Sequence, residues 1–404
     1  MRHLALIVLA GSLFPGSLPA QALVPEAKPP QAGSRPSANP GPGTTAINEF
    51  TKLAYEGGTL PLTTTPVVGT PKREYDPVFK PGTEALEPGE IRVTILGSGD
   101  PFVKAGQASA SILIEVGNRP RDFFFFDLGS GALAHFNGLK LPVNSASKVF
   151  LTHLHADHVG GMPTLIWSLA KSGRRVPVEV WGPGGETREL GTLAYTQHLQ
   201  AAHAWDTKSM KGHPGQSGAR TITTEIPHDK AARVYERNGV TISSFPVTHI
   251  MKGAVGYRLD YQGSSVVFSG DTLPSGTLLE ACQGGVDLLI HETFPPAAVF
   301  AKKAGVSKAH ADIVVDKTHT SPAMVGKVFN RARARMSVMW HLAVDHDTVG
   351  SAYQEMRGQY DGPVTIAQDL TVFNITRNSV VVRQAMIDPV AWPVMQDSAG
   401  STHP

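Results

Sequence analysis

Short apolar runs recur along the chain from residue 91 onward, and each one stops at Gly, Pro, Asn or another polar residue. Runs rich in β-branched and aromatic side chains with such boundaries are typical of β-strands. The sequence therefore predicts strands at 91–96, 111–116, 122–127, 148–152, 178–181, 240–247, 254–261, 265–269, 286–290, 335–340, 364–367, 370–375 and 379–382. The last two predict a terminal hairpin. Residues 123–126 are all Phe, which predicts a strand covered on both faces.

Helical patterns lie between the strands. We predict helices at 161–171, at about 189–204 and at about 322–334, the last with Ser321 as its N-cap and Pro322 in its first turn. No internal repeat of short period is visible. The alternation of strands and helices predicts a layered α/β domain over residues 91–394.

The first 22 residues are typical of a secretory signal peptide. Arg2 gives a positive start, residues 4–14 are apolar, and Ala20-Gln21-Ala22 is a small-x-small cleavage site. The apolar run is shorter than the ~20 residues that a bilayer requires. We therefore predict cleavage near Ala22 and a periplasmic or secreted protein without a membrane span. The alternative is a buried N-terminal helix.

The rest of the N-terminal region has little strand or helix pattern. Residues 23–45 are rich in Pro, Gly, Ser and Ala, which predicts a disordered linker. Residues 46–90 predict an irregular wrap on the domain surface, with one short helix near 47–55. Residues 184–238 are polar and largely aperiodic outside the predicted helix, so we interpret them as an insertion over the sheet.

Composition limits the possible chemistry. The chain has 404 residues, of which 41% are apolar, so it can bury a large core. Its 36 basic and 34 acidic residues give a net charge of +2, which provides no global attraction to nucleic acid or anionic membrane. Cys282 is the only cysteine, which excludes an intrachain disulfide and a thiolate-rich metal site. We expect Cys282 to be a small buried residue rather than a nucleophile.

A dense group of metal-binding residue types follows the predicted strand 148–152. His153, His155, Asp157 and His158 lie within six positions and precede Gly160-Gly161. Residues i and i+2 at a strand end can face the same side, and the turn brings the next two residues to a neighbouring point. Imidazole and carboxylate are typical zinc ligands, whereas calcium takes oxygen ligands. The alternative, a surface histidine cluster without metal, does not explain this concentration.

Three further candidate ligands also follow predicted strands. They are His249, Asp271 and His341. A single histidine in such a position is more often structural, but the three together with the first group predict a site for two adjacent divalent ions. We expect zinc, with manganese or iron as alternatives.

The order His-x-His-x-Asp-His, a distant His, Ser-Gly-Asp and a final His resembles the metallo-β-lactamase superfamily of hydrolases over residues 91–383. The resemblance implies an αββα sandwich, in which two mixed sheets lie between helices. It also implies a division of the ligands: His153, His155 and His249 bind the first zinc, Asp157, His158 and His341 bind the second, and Asp271 bridges both.

Within that superfamily the local sequences are most similar to the tRNase Z and arylsulfatase-like branch. The similar segments are 95–99, 126–131, 152–161, 182–183, 269–272, 289–292 and 319–321. This resemblance implies that Glu292 and His319 lie beside the metals and assist proton transfer or phosphate binding. Two departures are His291-Glu292-Thr293-Phe294 in place of His-Glu-Ala-Thr and an insertion without a Gly-rich basic arm. The chain also resembles exported hydrolases of the guanitoxin-biosynthesis type.

These observations predict a binuclear zinc-dependent hydrolase of an ester, and the expected substrate is a phosphodiester or a sulfate ester. Two zinc ions lower the pKa of a shared water toward ~7, which supplies hydroxide that Asp157 would orient. Glu292 would steer His319 toward the leaving or a non-bridging oxygen; the alternative is a buried structural pair that braces the metal ligands. Two other functions stay open: an exported lactonase or β-lactamase, and a non-catalytic zinc- or ligand-binding protein. We expect a small-molecule ester as substrate and no nucleic-acid partner, and a homodimer is compatible with the sequence.

Overall fold

The structure is a computed structural model that describes residues 64–395. The predicted signal peptide, the predicted linker at 23–45 and the predicted helix near 47–55 lie outside the described residues. Two β-sheets form the centre of the described part of the chain.

The first sheet is mixed and has ten strands within residues 64–395. Its spatial order is β1-β17-β16-β3-β4-β5-β6-β7-β8, with β2 beside β17. The strands β5, β6, β7 and β8 run parallel to one another, and the remaining neighbours on the main path are antiparallel. Their bounds are β1 Val67–Gly69, β2 Val78–Phe79, β3 Ile91–Gly97, β4 Ser111–Val116, β5 Asp122–Phe126, β6 Lys148–Phe150, β7 Val178–Pro183, β8 Thr221–Ile226, β16 Thr371–Ile375 and β17 Ser379–Ala385.

The second sheet is also mixed and has seven strands in the same part of the chain. Its order is β15-β14-β13-β12-β11-β10-β9, antiparallel from β9 to β12 and parallel from β12 to β15. The bounds are β9 Ala232–Arg237, β10 Val240–Pro246, β11 Val255–Tyr261, β12 Ser264–Phe268, β13 Leu288–Glu292, β14 Met336–Trp340 and β15 Val364–Ile366.

Helices cover the outer faces of both sheets. The α-helices are Ala132–Gly138, Ala156–Val159, Leu169–Lys171, Thr192–Ala202, Ala204–Ser209, Gly276–Ala281, Ala297–Ala304, Lys308–Lys317, Pro322–Ala332 and His346–Arg357. Short 3₁₀-helices lie at Val143–Ser145, Arg188–Leu190 and Gln216–Ala219, and a π-helical segment lies at Thr164–Ser168.

The strand of four Phe residues shows how the layers are held together. Because side chains alternate across a strand, Phe124 and Phe126 enter the core between the two sheets, and Phe123 and Phe125 enter the core under the outer helices. A third core, on the outer face of the second sheet, packs the helices Pro322–Ala332 and His346–Arg357. Two cores outside the sheets and one between them produce the αββα sandwich that the superfamily resemblance implies.

Two regions differ in detail from the sequence prediction. The polar region 184–238 contains β8, an edge strand of the first sheet, and β9, an edge strand of the second. These strands were not predicted because each exposes much of its length to solvent, which weakens the apolar pattern. The described part of the N-terminal wrap contributes β1 and β2, which both pair with β17.

Three further predictions concern the terminal hairpin, the N-cap residue Ser321 and Cys282. The terminal hairpin is present as β16 and β17. Ser321 occupies the N-cap of Pro322–Ala332, although its side chain makes no capping hydrogen bond. Cys282 is buried, and burial raises the pKa of its thiol to about 12, as expected of a structural cysteine. No helix within residues 64–395 is long and apolar enough to cross a membrane.

Candidate metal centre

The candidate ligands meet at one edge of the sandwich because the strands that precede them end there. The strands β12, β13 and β14 are parallel neighbours, so the residues at their carboxyl ends, Asp271, Glu292 and His341, lie side by side. From the facing sheet, β6 leads into His153. A backbone hydrogen bond of 3.0 Å from Val255 to the carbonyl of Thr152 joins the sheets beside this point.

The first cluster contains His153, His155, His249 and Asp271. One ligand atom from each lies within 4.8 Å of the others. The Nδ1 of His155 is 2.9 Å from Nε2 of His153 and 3.2 Å from Nε2 of His249. The Nδ1 of His249 lies 2.9 Å from the carbonyl oxygen of Thr318 and can donate to it, which leaves Nε2 free as a ligand.

The second cluster contains Asp157, His158, His341 and the same Asp271, again within 4.8 Å. The Nε2 atoms of His158 and His341 lie 3.4 and 3.2 Å from Oδ2 of Asp157. The helix Ala156–Val159 supplies the first two residues, and β14 ends immediately before His341. All seven candidate ligands therefore come together in the two groups that the superfamily resemblance implies.

Asp271 is shared by both clusters through different oxygens. Its Oδ2 lies 3.8 and 3.9 Å from Nε2 of His153 and His249. Its Oδ1 lies 3.3 and 3.5 Å from Nε2 of His158 and His341. Asp271 could therefore hold one cation in each cluster, as the superfamily resemblance implies.

Buried polar atoms without partners support the fit of cations to these groups. Oδ1 of Asp271 and Nε2 of His158 are buried and have no hydrogen-bond partner. A buried polar atom without a hydrogen bond costs about 1–3 kcal/mol, and these two atoms lie 3.3 Å apart without forming one. Divalent cations would satisfy both atoms, because carboxylate oxygen and imidazole nitrogen are zinc-type ligands. The described clusters are thus consistent with a binuclear metal site.

The carboxylates of the second cluster favour positive charge at this place, either as protons on the imidazoles or as a metal ion. Burial lowers the pKa of His158, but Asp271, Asp127 and Asp157 outweigh it and raise the pKa well above its usual range. Burial also lowers the pKa of His341, but the Asp271 carboxylate outweighs this effect and raises that pKa to about 9. In the first cluster burial lowers the pKa of all three imidazoles, which keeps them in the neutral form that binds metal.

The backbone beside the ligands adopts left-handed conformations. His341 has a φ of 61°, in the left-handed region that few non-glycine residues adopt. Gly270 has a φ of 59°, and a Cβ at this position would lie 2.7 Å from Cβ of Thr152. Glycine at 270 therefore allows Asp271 to approach the His153 turn.

Asp127 is a functional candidate that the sequence analysis did not assign to the site. It follows β5, is fully buried and lies 2.8 Å through Oδ2 from Nδ1 of His158. The same carboxylate accepts hydrogen bonds from the backbone N–H and the hydroxyl of Thr152, at 2.8 and 2.7 Å. Asp127 therefore fixes the ring orientation of His158 and the turn that carries His153. Its signal in the sequence is its position at a strand end before Leu128-Gly129.

We predict that Asp127→Ala lowers zinc affinity by about 10- to 100-fold, because His158 loses the partner that orients its ring. The measurement is competition for zinc with a chromogenic chelator. The control is Asp122→Ala, at the opposite end of the same strand, where the carboxylate pairs with Lys148. Equal zinc affinity in both variants would contradict the role of Asp127.

Glu292 and His319 lie against the second cluster. With His341 they form a third group whose ligand atoms lie within 4.8 Å of one another. Oε1 of Glu292 lies 3.1 Å from Nδ1 of His319 and accepts a hydrogen bond of 3.0 Å from the backbone N–H of Thr272. The ring of Phe294 stacks on His319 at a centroid distance of 3.9 Å. These contacts fix the imidazole and leave its Nε2 for another group.

A cavity of about 390 Å³ opens beside the first cluster. His153, His155 and His249 form part of its lining, and His155 is the exposed member of the cluster. A substrate in this cavity would therefore reach the candidate metal centre from the side of the first cluster.

Comparisons with known proteins agree with this geometry. The chain is 29% identical over 266 residues to a ribonuclease Z of Mycobacterium avium (strain 104), covering 58% of this chain and 88% of that protein. It is 25% identical over 316 residues to a ribonuclease Z of Methanosarcina acetivorans, covering 70% and 98%. The metallo-beta-lactamase fold protein YhfI from Bacillus subtilis superimposes with a TM-score of 0.51 at 18% identity, covering 71% of this chain and 100% of that one.

The chain also matches a protein family. Residues 91–306, more than half of the 404, match the family described as Anti-Pycsar protein Apyc1. With the His/Asp clusters and the ribonuclease Z relatives, this match identifies a metal-dependent hydrolase. The chain has the metallo-β-lactamase fold and belongs to the Anti-Pycsar protein Apyc1 family.

Proposed function

We propose that this protein is a phosphodiesterase that hydrolyses a small cyclic nucleotide and uses two zinc ions. The family match supports a cyclic nucleotide as substrate, and the ribonuclease Z relatives support phosphodiester chemistry. The cavity volume of about 390 Å³ lies in the range of small-molecule sites, which supports a mononucleotide rather than a folded RNA.

The observation that carries the proposal is the division of the two Asp271 oxygens between two histidine clusters. Zinc ions held there would lower the pKa of water and neutralise the charge that develops on the phosphoryl oxygens. Burial disfavours the ionised form of Asp157, but His158 and His341 hold its pKa far below the usual range. An ionised Asp157 would orient the attacking water by accepting a hydrogen bond from it.

We propose that His319 protonates the leaving oxygen. The Glu292 carboxylate accepts a hydrogen bond from Nδ1 of His319, so the proton is delivered from Nε2. The Glu292 backbone is itself held by the Ser269 hydroxyl, which accepts a 3.0 Å hydrogen bond from its N–H. Opening of a cyclic phosphodiester then yields a phosphomonoester and a free hydroxyl, and the proton from His319 ends on that hydroxyl.

A substrate panel tests the proposal. The zinc-loaded protein is assayed with 3′,5′-cyclic nucleotides of the four common bases, bis-p-nitrophenyl phosphate, p-nitrophenyl sulfate, a lactone, a β-lactam and a precursor tRNA. We expect the highest kcat/KM for a cyclic nucleotide, and loss of that activity in His153→Ala. Turnover of the sulfate, the lactone or the β-lactam alone would overturn the proposal, and turnover of the precursor tRNA alone would assign a ribonuclease Z activity instead.

A further inference from the structure

The cavity beside the first cluster has two walls that contain none of the candidate metal ligands. One wall comes from residues 183–198 and includes Leu190, Tyr195 and His198. The other comes from residues 251–254 and includes Met251 and Lys252. The first wall belongs to the region that the sequence analysis interpreted as an insertion. The cavity is therefore built from a segment outside the metal-binding motifs.

The two walls are fixed against each other at their nearest point. Nζ of Lys252 lies 3.0 Å from Oε1 of Glu186, which joins the walls by an exposed ion pair. An exposed ion pair stabilises little by itself. The closer contact is between two glycines: a Cβ on Gly253, whose φ is +117°, would lie 3.3 Å from Cα of Gly185. The absence of a side chain at 253 therefore allows the two walls to contact each other at this point.

Apolar side chains of unusual exposure face this cavity. Leu190 is 44% exposed and Met251 is 52% exposed, and each lines the cavity as part of a different wall. Two neighbours of similar exposure, Leu193 at 37% and Ile250 at 63%, do not line it. Tyr195 and His198 add flat rings to the first wall. One part of the cavity, which we call the slot, is therefore apolar and lies next to the imidazoles of the first cluster. Leu190, Tyr195, His198 and Met251 line it.

We propose that this slot binds the aromatic base of the substrate, with Leu190 and Met251 as the specificity-determining residues. The inference rests on the proposed function, in which the phosphodiester lies over the metal clusters. An anionic phosphodiester at His153 and His155 leaves the uncharged part of a nucleotide to extend into the adjoining cavity. A flat base between the two walls contacts the Leu190 side chain and the polarisable Met251 thioether, which is a favourable partner for aromatic rings.

The test compares Met251→Ala and Leu190→Ala with the matched controls Ile250→Ala and Leu193→Ala. Because each substitution removes an apolar contact with the base, we expect KM for the preferred cyclic nucleotide to rise about 5- to 10-fold in the first two variants. We expect kcat to change little, because the lost contact is present in both the ground and the transition state. The two controls keep the KM of the unchanged protein.

A second substrate separates base binding from damage to the metal centre. Trimethylene phosphate is a six-membered cyclic phosphodiester without a base, and its hydrolysis is followed by phosphorus NMR. We expect Met251→Ala and Leu190→Ala to hydrolyse it as the unchanged protein does. An equal loss with both substrates would overturn the assignment of the slot, as would a KM for the nucleotide no different from that of the controls.

A binding measurement tests the base-binding role of the slot independently of catalysis. Nucleoside 5′-monophosphate is titrated into the zinc-loaded protein by calorimetry, and we expect the Kd to rise about 5- to 10-fold in Met251→Ala and to stay unchanged in Ile250→Ala. Nucleotide binding that depends on Met251, without hydrolysis of any phosphodiester, would support the slot and contradict the proposed function. If the protein hydrolyses cyclic nucleotides but substitution of Met251 or Leu190 leaves nucleotide binding unchanged, the proposed function is supported and the base-binding role of the slot is overturned.

Discussion

Asp271→Asn is expected to abolish hydrolysis and to lower bound zinc from two ions per chain to one or none. Both clusters include this carboxylate, and each of its oxygens faces a different pair of imidazoles. The amide presents one oxygen and one NH₂ group, so it can serve one cluster and repels a cation in the other. Loss of one cation removes several kcal/mol of transition-state stabilisation, so we expect kcat/KM to fall by about 10³-fold or more.

The measurement combines metal analysis by mass spectrometry with steady-state kinetics. Asp287→Asn is the matched control, because Asp287 is a buried aspartate that immediately precedes β13, at the opposite end of that strand from the metal centre. Its carboxylate accepts a hydrogen bond from the backbone of Ser265 and pairs with Arg335. Circular dichroism confirms that each variant is folded. Two zinc ions and unchanged kinetics in Asp271→Asn would rule out the shared-carboxylate arrangement.

Strands were predictable from the sequence where both faces are buried or where apolar and polar residues alternate strictly. The four Phe residues of β5 predict a doubly covered strand, and the structure divides them between two cores. The edge strands β8 and β9 were not predictable in this way, because a strand with neighbours on one side only can expose polar residues without cost. The helix Lys308–Lys317 was missed for a similar reason: few of its side chains are buried, and it packs in a small separate cluster.

The candidate site was predictable to the extent that its residues are typical metal ligands at strand ends. The group from His153 to His158 is local in sequence, and periodicity alone places it at the edge of a sheet. Asp127 was not assigned to the site, because a carboxylate that binds a ligand residue rather than the metal has no distinctive spacing. The cavity walls could not be predicted, since the approach of Gly253 to Gly185 depends on tertiary packing between distant segments.

His319→Ala is expected to lower kcat by about 10²- to 10⁴-fold for an alkyl leaving group, which is the range for loss of a general acid. His319 is held on Nδ1 by Glu292 and on one ring face by Phe294, so its Nε2 has a fixed direction. A p-nitrophenolate leaving group needs little protonation, so we expect a much smaller loss with bis-p-nitrophenyl phosphate. His310→Ala, in the exposed helix Lys308–Lys317, is the control and keeps full activity.

Metal content decides between the two roles of this histidine. His319, Glu292 and His341 also form a group that could hold a cation. If His319 is the proton donor, His319→Ala retains two zinc ions, and Glu292→Gln loses less activity, because the amide oxygen of Gln still accepts a hydrogen bond from His319. If His319 is instead a ligand or a brace, zinc falls below two per chain and activity falls equally for both leaving groups. The second outcome would remove His319 from proton transfer and leave Glu292 as a structural partner of the metal centre.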